Sequence, residues 1–343
     1  MSLAIDMAGY VMALSWLDRY REASGLASEY EELLESIGDP AMTVGLLWTA
    51  MYAKFEYGAV REALRLAQRG IDLADGDPVK GNLIIGSPLA VSIGMRGIAG
   101  ACLGHAGWKD DVDHAIAMAG EIDPLSQVLA IGFKYVFGLS NLALISDETA
   151  SRTTAVALHI AEQSGDDLTL NLARAIRGLA LVQGDGTDRR AGFDMLNQVR
   201  ETAVQERYML LAVPFIDVQF ARENMRSGDL DSAISLMRKT IDDEFVTGEM
   251  IYRGPAAQVL VESLLERGAD GDVREAEVAI DRLAAVPVDP GFVLHELPLL
   301  RLRALLARAR GDEAPYRDFA DRYRKMANDV GYEGHIELAK AMA

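Results

Sequence analysis

The strongest constraint on this chain lies between residues 227 and 242, in the run SGDLDSAISLMRKTID. Gly228 and Asp229 break one helix and cap the next. Ala233, Leu236 and Met237 then recur at helical spacing, which gives that helix a small apolar face. Ala233 stands five residues after the glycine, where a bulky side chain would hold two helices apart. The arrangement returns at Ala23, Ala63, Ala115, Ala155 or Ala157, Ala191 and Ala276, with a degenerate last copy near Arg317. Steps between copies run from 36 to 52 residues and average about 42, so eight units fill nearly all of the 343 residues. Periods of this size mark stacked helix hairpins, each too small to bury its own apolar face alone. Each unit reads as a helix A, a turn at the Gly/Asp, and a helix B.

Three turns carry a more specific pattern: Gly58 with Ala63 and Ala67, Gly228 with Ala233, and Gly271 with Ala276. These resemble the tetratricopeptide repeat. The family's tryptophan and proline positions are mostly missing, although Pro78 and Pro124 stand where helix B ends in two units. The step is also longer than that family's roughly 34 residues. The expected fold is therefore all-α: a right-handed superhelix of about eight antiparallel helix hairpins, tetratricopeptide-like, in a single domain over 1–343. A non-repetitive helical bundle is the alternative.

Charge narrows the partners. With 34 Lys and Arg against 52 Asp and Glu, the formal net charge is −18. A nucleic-acid face would show clustered basic residues. The one locally basic stretch, 301–325, holds eight basic and four acidic residues and reads as a solvated helix pair. Residues 83–146 carry only eight charges and contain two apolar runs, 87–104 and 125–146. Arg96 and Lys134 sit near the centres of these runs, where a charge in a bilayer would cost about 2.5–3.5 kcal/mol. Both runs fall at helix A positions. They read as the most buried helices, with a self-association surface as the alternative. The single cysteine, Cys102, lies in apolar sequence, so the expectation is a buried, inert thiol in a reducing compartment and a cytoplasmic location.

Sites of catalysis are not evident. None of the five histidines pairs with another at i, i+3 or i, i+4, and His295-Glu296 lacks the second histidine of a zinc helix. The cluster Asp110, Asp111, Asp113 and His114 lacks the spaced ligands of a calcium loop and is explained by helix capping. Glycines 94, 97, 100, 104 and 107 keep helical spacing without a Walker lysine, so close helix approach accounts for them. No metal or cofactor is expected, and the chain is not read as an enzyme. Trp48, Tyr52 and Phe55 form one helical stripe, which reads as helix packing, with a ligand-lining stripe as the alternative.

The last stretch, Tyr316–Ala343, resembles the C-terminal end of large actinobacterial signalling proteins. In these a class III nucleotide cyclase domain and an ATPase domain precede a long tetratricopeptide-like region. The matching residues are Tyr323, Arg324, Met326, Ala327, the run Gly331-Tyr-Glu-Gly-His335, and Ala341-Met342. The helical sensor region of ATPase-type transcription regulators is a related architecture. The resemblance implies a piece of a longer, adenylate cyclase-associated protein active in signal transduction. The chain holds neither a cyclase's metal-binding aspartates nor a Walker loop, so neither activity carries over. The expected function is a regulatory, protein-interaction module that binds a protein, a peptide or a small acidic effector in a groove lined by helices A. The alternative is a scaffold that makes the parent a homodimer. Tyr52, Arg96, Lys134, Arg222 and Arg253 are the expected groove residues: they lie on helix A segments, and a cation among apolar neighbours is costly unless paired or wet. Neither nucleic acid nor membrane is expected as a partner.

Overall fold

The computed structural model describes residues 2–184 and 187–342. Among these residues there are seventeen α-helices and no strand. The inner helices are α1 (Ser2–Trp16), α3 (Pro40–Glu56), α5 (Pro88–Cys102), α7 (Pro124–Ser140), α9 (Asp167–Gln183), α11 (Val213–Arg226), α13 (Arg253–Arg267) and α15 (Val293–Arg310). Between them come the outer helices α2 (Tyr20–Ile37), α4 (Val60–Ala74), α6 (Trp108–Gly120), α8 (Glu148–Ser164), α10 (Arg189–Glu206), α12 (Leu230–Thr247), α14 (Asp272–Ala284) and α16 (Glu313–Val330). A short α17 (Glu333–Lys340) closes the order. Consecutive helices pack as pairs, and each inner helix also touches the next inner one.

Local chemistry explains the element ends. Asp39 caps α3, accepting from the amides of Ala41 and Met42 at 2.9 and 3.2 Å, with Pro40 in the first turn. Asp123 and Pro124 do the same for α7, and Asp229 accepts from Ser232 N at 3.2 Å to start α12. Gly228 ahead of it has φ +83°, a left-handed turn that only glycine adopts without strain.

The two layers bury different amounts. Outer α4 hides one stripe, Val60, Ala63, Leu66, Ala67, Gly70 and Ala74, and wets the rest. Inner α5 buries every residue except Arg96. The small residue after the turn is fully buried at Ala23, Ala63, Ala115, Ala233 and Ala276. Of the two candidates in the next unit, Ala157 is buried and Ala155 exposed, and two anchors shift: Gly192 takes the place of exposed Ala191, and Ala320 takes that of Arg317. Gly192 is needed because a Cβ there would lie 2.9 Å from the Gly178 carbonyl oxygen. The apolar runs at 87–104 and 125–146 are inner helices, and no helix of the described residues is long and apolar enough to cross a membrane.

The array curls until distant parts meet. The Met250 amide donates to the Glu56 carbonyl at 3.0 Å. Arg61 donates through its amide to Asp289 and through its guanidinium to the Pro290 carbonyl. The Tyr332 hydroxyl reaches the Ala101 carbonyl at 2.9 Å, and the Gly334 amide reaches that of Leu142 at 3.0 Å. Buried Tyr323 and His335 share a 2.8 Å hydrogen bond beside them. The C-terminal run that carries the family resemblance is thus the knot that ties α16 and α17 onto α5 and the α7–α8 connection.

A candidate ligand-binding chamber

On α3, Trp48, Tyr52 and Phe55 recur with each turn and face inward. Their stripe forms one wall of a chamber of about 340 Å³. Side chains from α1, α5, α7, α9 and the start of α11 complete it, so the walls come from successive inner helices. Met95, Ile98, Phe137 and Phe215 make it apolar. The mouth is ringed by exposed Gly9 and Ile84 and half-buried Leu125, Leu168 and Leu211. The aromatic stripe therefore lines a cavity as well as packing helices.

One end of the chamber is polar. Glu56 is 3 % exposed, and its Oε2 has no hydrogen-bond partner. Burial pushes its carboxyl well above the usual carboxylate range; Glu249 and Asp18 push the same way, and the Tyr52 hydroxyl opposes by donating to it. The Trp48 indole N–H is also buried without an acceptor. Behind this end lies an acidic group. Asp18 is raised to about 7, first by burial, with the Tyr20 hydrogen bond opposing. Glu249, 1 % exposed, is raised by burial and partly held down by Arg253 and by the Ile251 and Tyr252 amides. Glu244 is raised by burial and by Glu249. Desolvation wins at each of these acids because there are four of them and Arg253 is the only cation among their causes.

The five expected groove residues do not meet on one surface. Tyr52 alone lines the chamber. Arg96 is clamped to Asp111 by bonds of 2.9 and 2.6 Å, and Lys134 to Asp113 at 2.5 Å. These aspartates of α6 are the acidic cluster of the sequence, and here they serve as counter-ions. Arg253 is buried, donates to the Glu244 carbonyl at 2.8 Å, and stacks 4.2 Å over the Phe245 ring, whose neighbourhood Arg282 shares at 3.9 Å. It lines a small 220 Å³ pocket of its own. Arg222 lies elsewhere again, in a wider groove of about 750 Å³ between the α7–α8 connection, α11, α13 and α17. A shared cationic lining fails because each cation lies on a different helix of a strongly curved array, and the two in the charge-poor helices find acids on the neighbouring outer helix.

Arg222 differs from the other four residues. No hydrogen bond or ion pair reaches it among the described residues, and burial lowers it to about 10 against the pull of Glu262. Glu262 is instead ion-paired with buried Arg301.

Sequence reasoning missed Glu56, Trp16 and Tyr252 as lining residues. Glu56 ends an apolar helix and sits two residues before a turn glycine, where a solvent-facing acid is the ordinary expectation. Nothing local signals that Met250 and Tyr252, nearly two hundred residues later, cover it. Cys102 is buried and free, with its thiol pushed well up by burial. No group of acids, histidines and cysteine able to hold a metal occurs among the described residues. No known protein family and no curated protein matches this chain.

Proposed function

We propose that this chain is a non-catalytic regulatory module that binds a small effector in the central chamber and passes its state to a partner or to another domain of a signalling protein. One observation carries the reading: the chamber is walled by successive inner helices, so an occupant touches several hairpins at once. Stacked hairpins contact only their neighbours, so a ligand bridging several couples parts that are otherwise independent. Its volume falls in the range of small-molecule sites. The far ends of the array are joined by a few hydrogen bonds, at Met250, Arg61, Tyr332 and Gly334. A ligand that favours one curvature shifts those contacts only by its difference in affinity between the two states.

The regular pairing supports the finer architecture we adopt, a right-handed, tetratricopeptide-like superhelix of eight hairpins with a capping helix. The resemblance of the C-terminal run supports a parent with a nucleotide cyclase or ATPase domain and a cytoplasmic setting. The low charge of 83–146, which suggested a self-association surface, is accounted for by burial of α5 and by the chamber-facing side of α7.

The test is a titration with N-phenyl-1-naphthylamine, an uncharged fluorescent probe of apolar cavities. One saturable site per chain, with quenching of Trp16 and Trp48, is expected. Absence of saturable binding would remove the reading.

A further inference from the structure

We propose that the chamber selects an apolar amine, a molecule with an aromatic or aliphatic body and one basic nitrogen that is held against Glu56. This deepens the reading above and rests on the chamber being the binding site.

The lining has a one-sided composition. Among the described residues that wall the chamber there is no lysine, arginine or histidine, and Glu56 is the one carboxylic acid. Its Oε2 is buried and unpartnered, so it lacks the partner that a buried polar group ordinarily has. The aromatic side chains of Trp16, Trp48, Tyr52, Phe55, Phe137 and Tyr252 line the same space. An aromatic wall with a carboxyl at one end is complementary to a cation with an apolar body.

The acids near Glu56, Glu249 and Asp18, both favour its protonated form, and only the Tyr52 hydrogen bond opposes them. Tyr52 comes from its own helix, Asp18 and Tyr20 from the α1–α2 turn, Glu249 and Tyr252 from the α12–α13 connection, and Cys102 from the end of α5. All of these are acids or neutral groups. No base acts on Glu56, and Arg253, which acts on Glu249 and Glu244, donates to the Glu244 carbonyl and stacks on the Phe245 ring. An anionic ligand would therefore meet repulsion and no counter-charge. A neutral alcohol would satisfy one hydrogen bond and leave the acids unrelieved. An ammonium lets Glu56 ionise as the cation enters, so the two charges enter the low-dielectric end as a pair, which costs far less than either ion alone. Because burial and neighbouring acids favour the protonated carboxyl, this ionisation releases a proton.

The experiment uses the whole chain and three ligands of one shape: phenylbutylamine, phenylbutanol and phenylbutyrate. Each competes with N-phenyl-1-naphthylamine for the chamber. The amine is expected to displace the probe at a concentration at least about tenfold lower than the alcohol, and the butyrate to be weakest. In Glu56→Gln, which keeps shape and size, the ratio of amine to alcohol affinity should fall to about one. Calorimetry in buffers of different ionisation enthalpy gives a second readout on the unaltered chain: the amine should release protons on binding at pH 6 and the alcohol none. Equal competition by alcohol and amine, an amine preference that survives Glu56→Gln, or amine binding without proton release would each overturn the proposal. In all of these outcomes the probe still binds, so the chamber reading stands; failure of the probe itself is the separate failure of that reading.

Discussion

Two ionisable side chains that line open spaces, Glu56 and Arg222, make no ion pair among the described residues, and they lie in opposite surroundings. Glu56 is an acid at the polar end of an otherwise apolar chamber walled by the inner helices, with other acids behind it. Arg222 is a base in a wider, more polar groove, near Glu262 but not bonded to it. Elsewhere the cations that the sequence placed among apolar neighbours found counter-ions on the next helix, Arg96 with Asp111 and Lys134 with Asp113. The difference shows that charge in a helical array is easily paired between an inner helix and its outer neighbour. At Glu56 and Arg222 an inner helix instead faces an open space, and no opposite charge is paired with either.

The comparison can be broken first at the chamber. Leu129 lines it and is half-buried, so Leu129→Trp should fill the space and lower probe affinity by at least about a hundredfold while a groove variant such as Leu338→Trp leaves it unchanged. Fluorescence titration of both variants checks this. If Leu338→Trp weakens the probe equally, the two spaces are not independent.

The next largest effect is expected behind the groove. Removing Arg301 strands Glu262, so Arg301→Met should lower stability by about 2 kcal/mol, less than for a fully buried pair because Glu262 is partly exposed. Chemical denaturation measures it. An unchanged midpoint would mean that Arg222 swings over to take Glu262, which would itself show that the unpaired base is free to move.

Glu56 gives a smaller effect with a definite sign in pH. Its carboxyl is raised well above the usual carboxylate range in the fold, so over the window above that range the folded chain holds a proton that the unfolded chain has lost. Stability therefore falls as pH rises through that window. Glu56→Gln removes the penalty, and its gain over the parent should grow with pH to about 1.5 kcal/mol at pH 8. A gain that is flat between pH 5 and 8 would mean that Glu56 is not the titrating group. Asp18, raised to about 7, contributes in the same direction and sets the upper part of the slope.

The smallest effect belongs to Arg222. Arg222→Met removes a desolvated cation that has no bond to lose, so stability should rise by about 0.5 kcal/mol. A loss of 1 kcal/mol or more would show that Arg222 is paired in solution, and the contrast with Glu56 would then disappear.

Much of the fold was legible because its signals are local. Gly228 and Asp229 announce a turn and a cap within four residues, and Ala63 or Ala233 announces a close helix contact within one turn of that. The apolar runs around Arg96 and Lys134 announce inner helices because a helix surrounded on all sides needs no wet face. The candidate site was less legible. Trp48, Tyr52 and Phe55 were visible as a stripe, and a stripe has the same pattern whether it faces another helix or a cavity. Arg96, Lys134 and Arg253 were visible as cations with apolar neighbours and Arg222 as the counterpart of Tyr52 in its repeat, but their partners lie on other helices, at Asp111, at Asp113, at the Glu244 carbonyl and, for Arg222, nowhere among the described residues. Glu56 gave no signal because an acid before a turn is ordinarily wet.

By itself, the amino-acid sequence determined that the chain is helical, that consecutive helices pack as pairs, and most of the small residues at which they touch. Each of these depends on spacing within a few turns, where helical period, capping and side-chain size act directly. Only the tertiary structure decided that the array curls far enough for Tyr332 to reach Ala101 and Met250 to reach Glu56, and so decided that a chamber exists and which charges stay unpaired. Curvature is the sum of small rotations at every hairpin contact, and no single contact records the total.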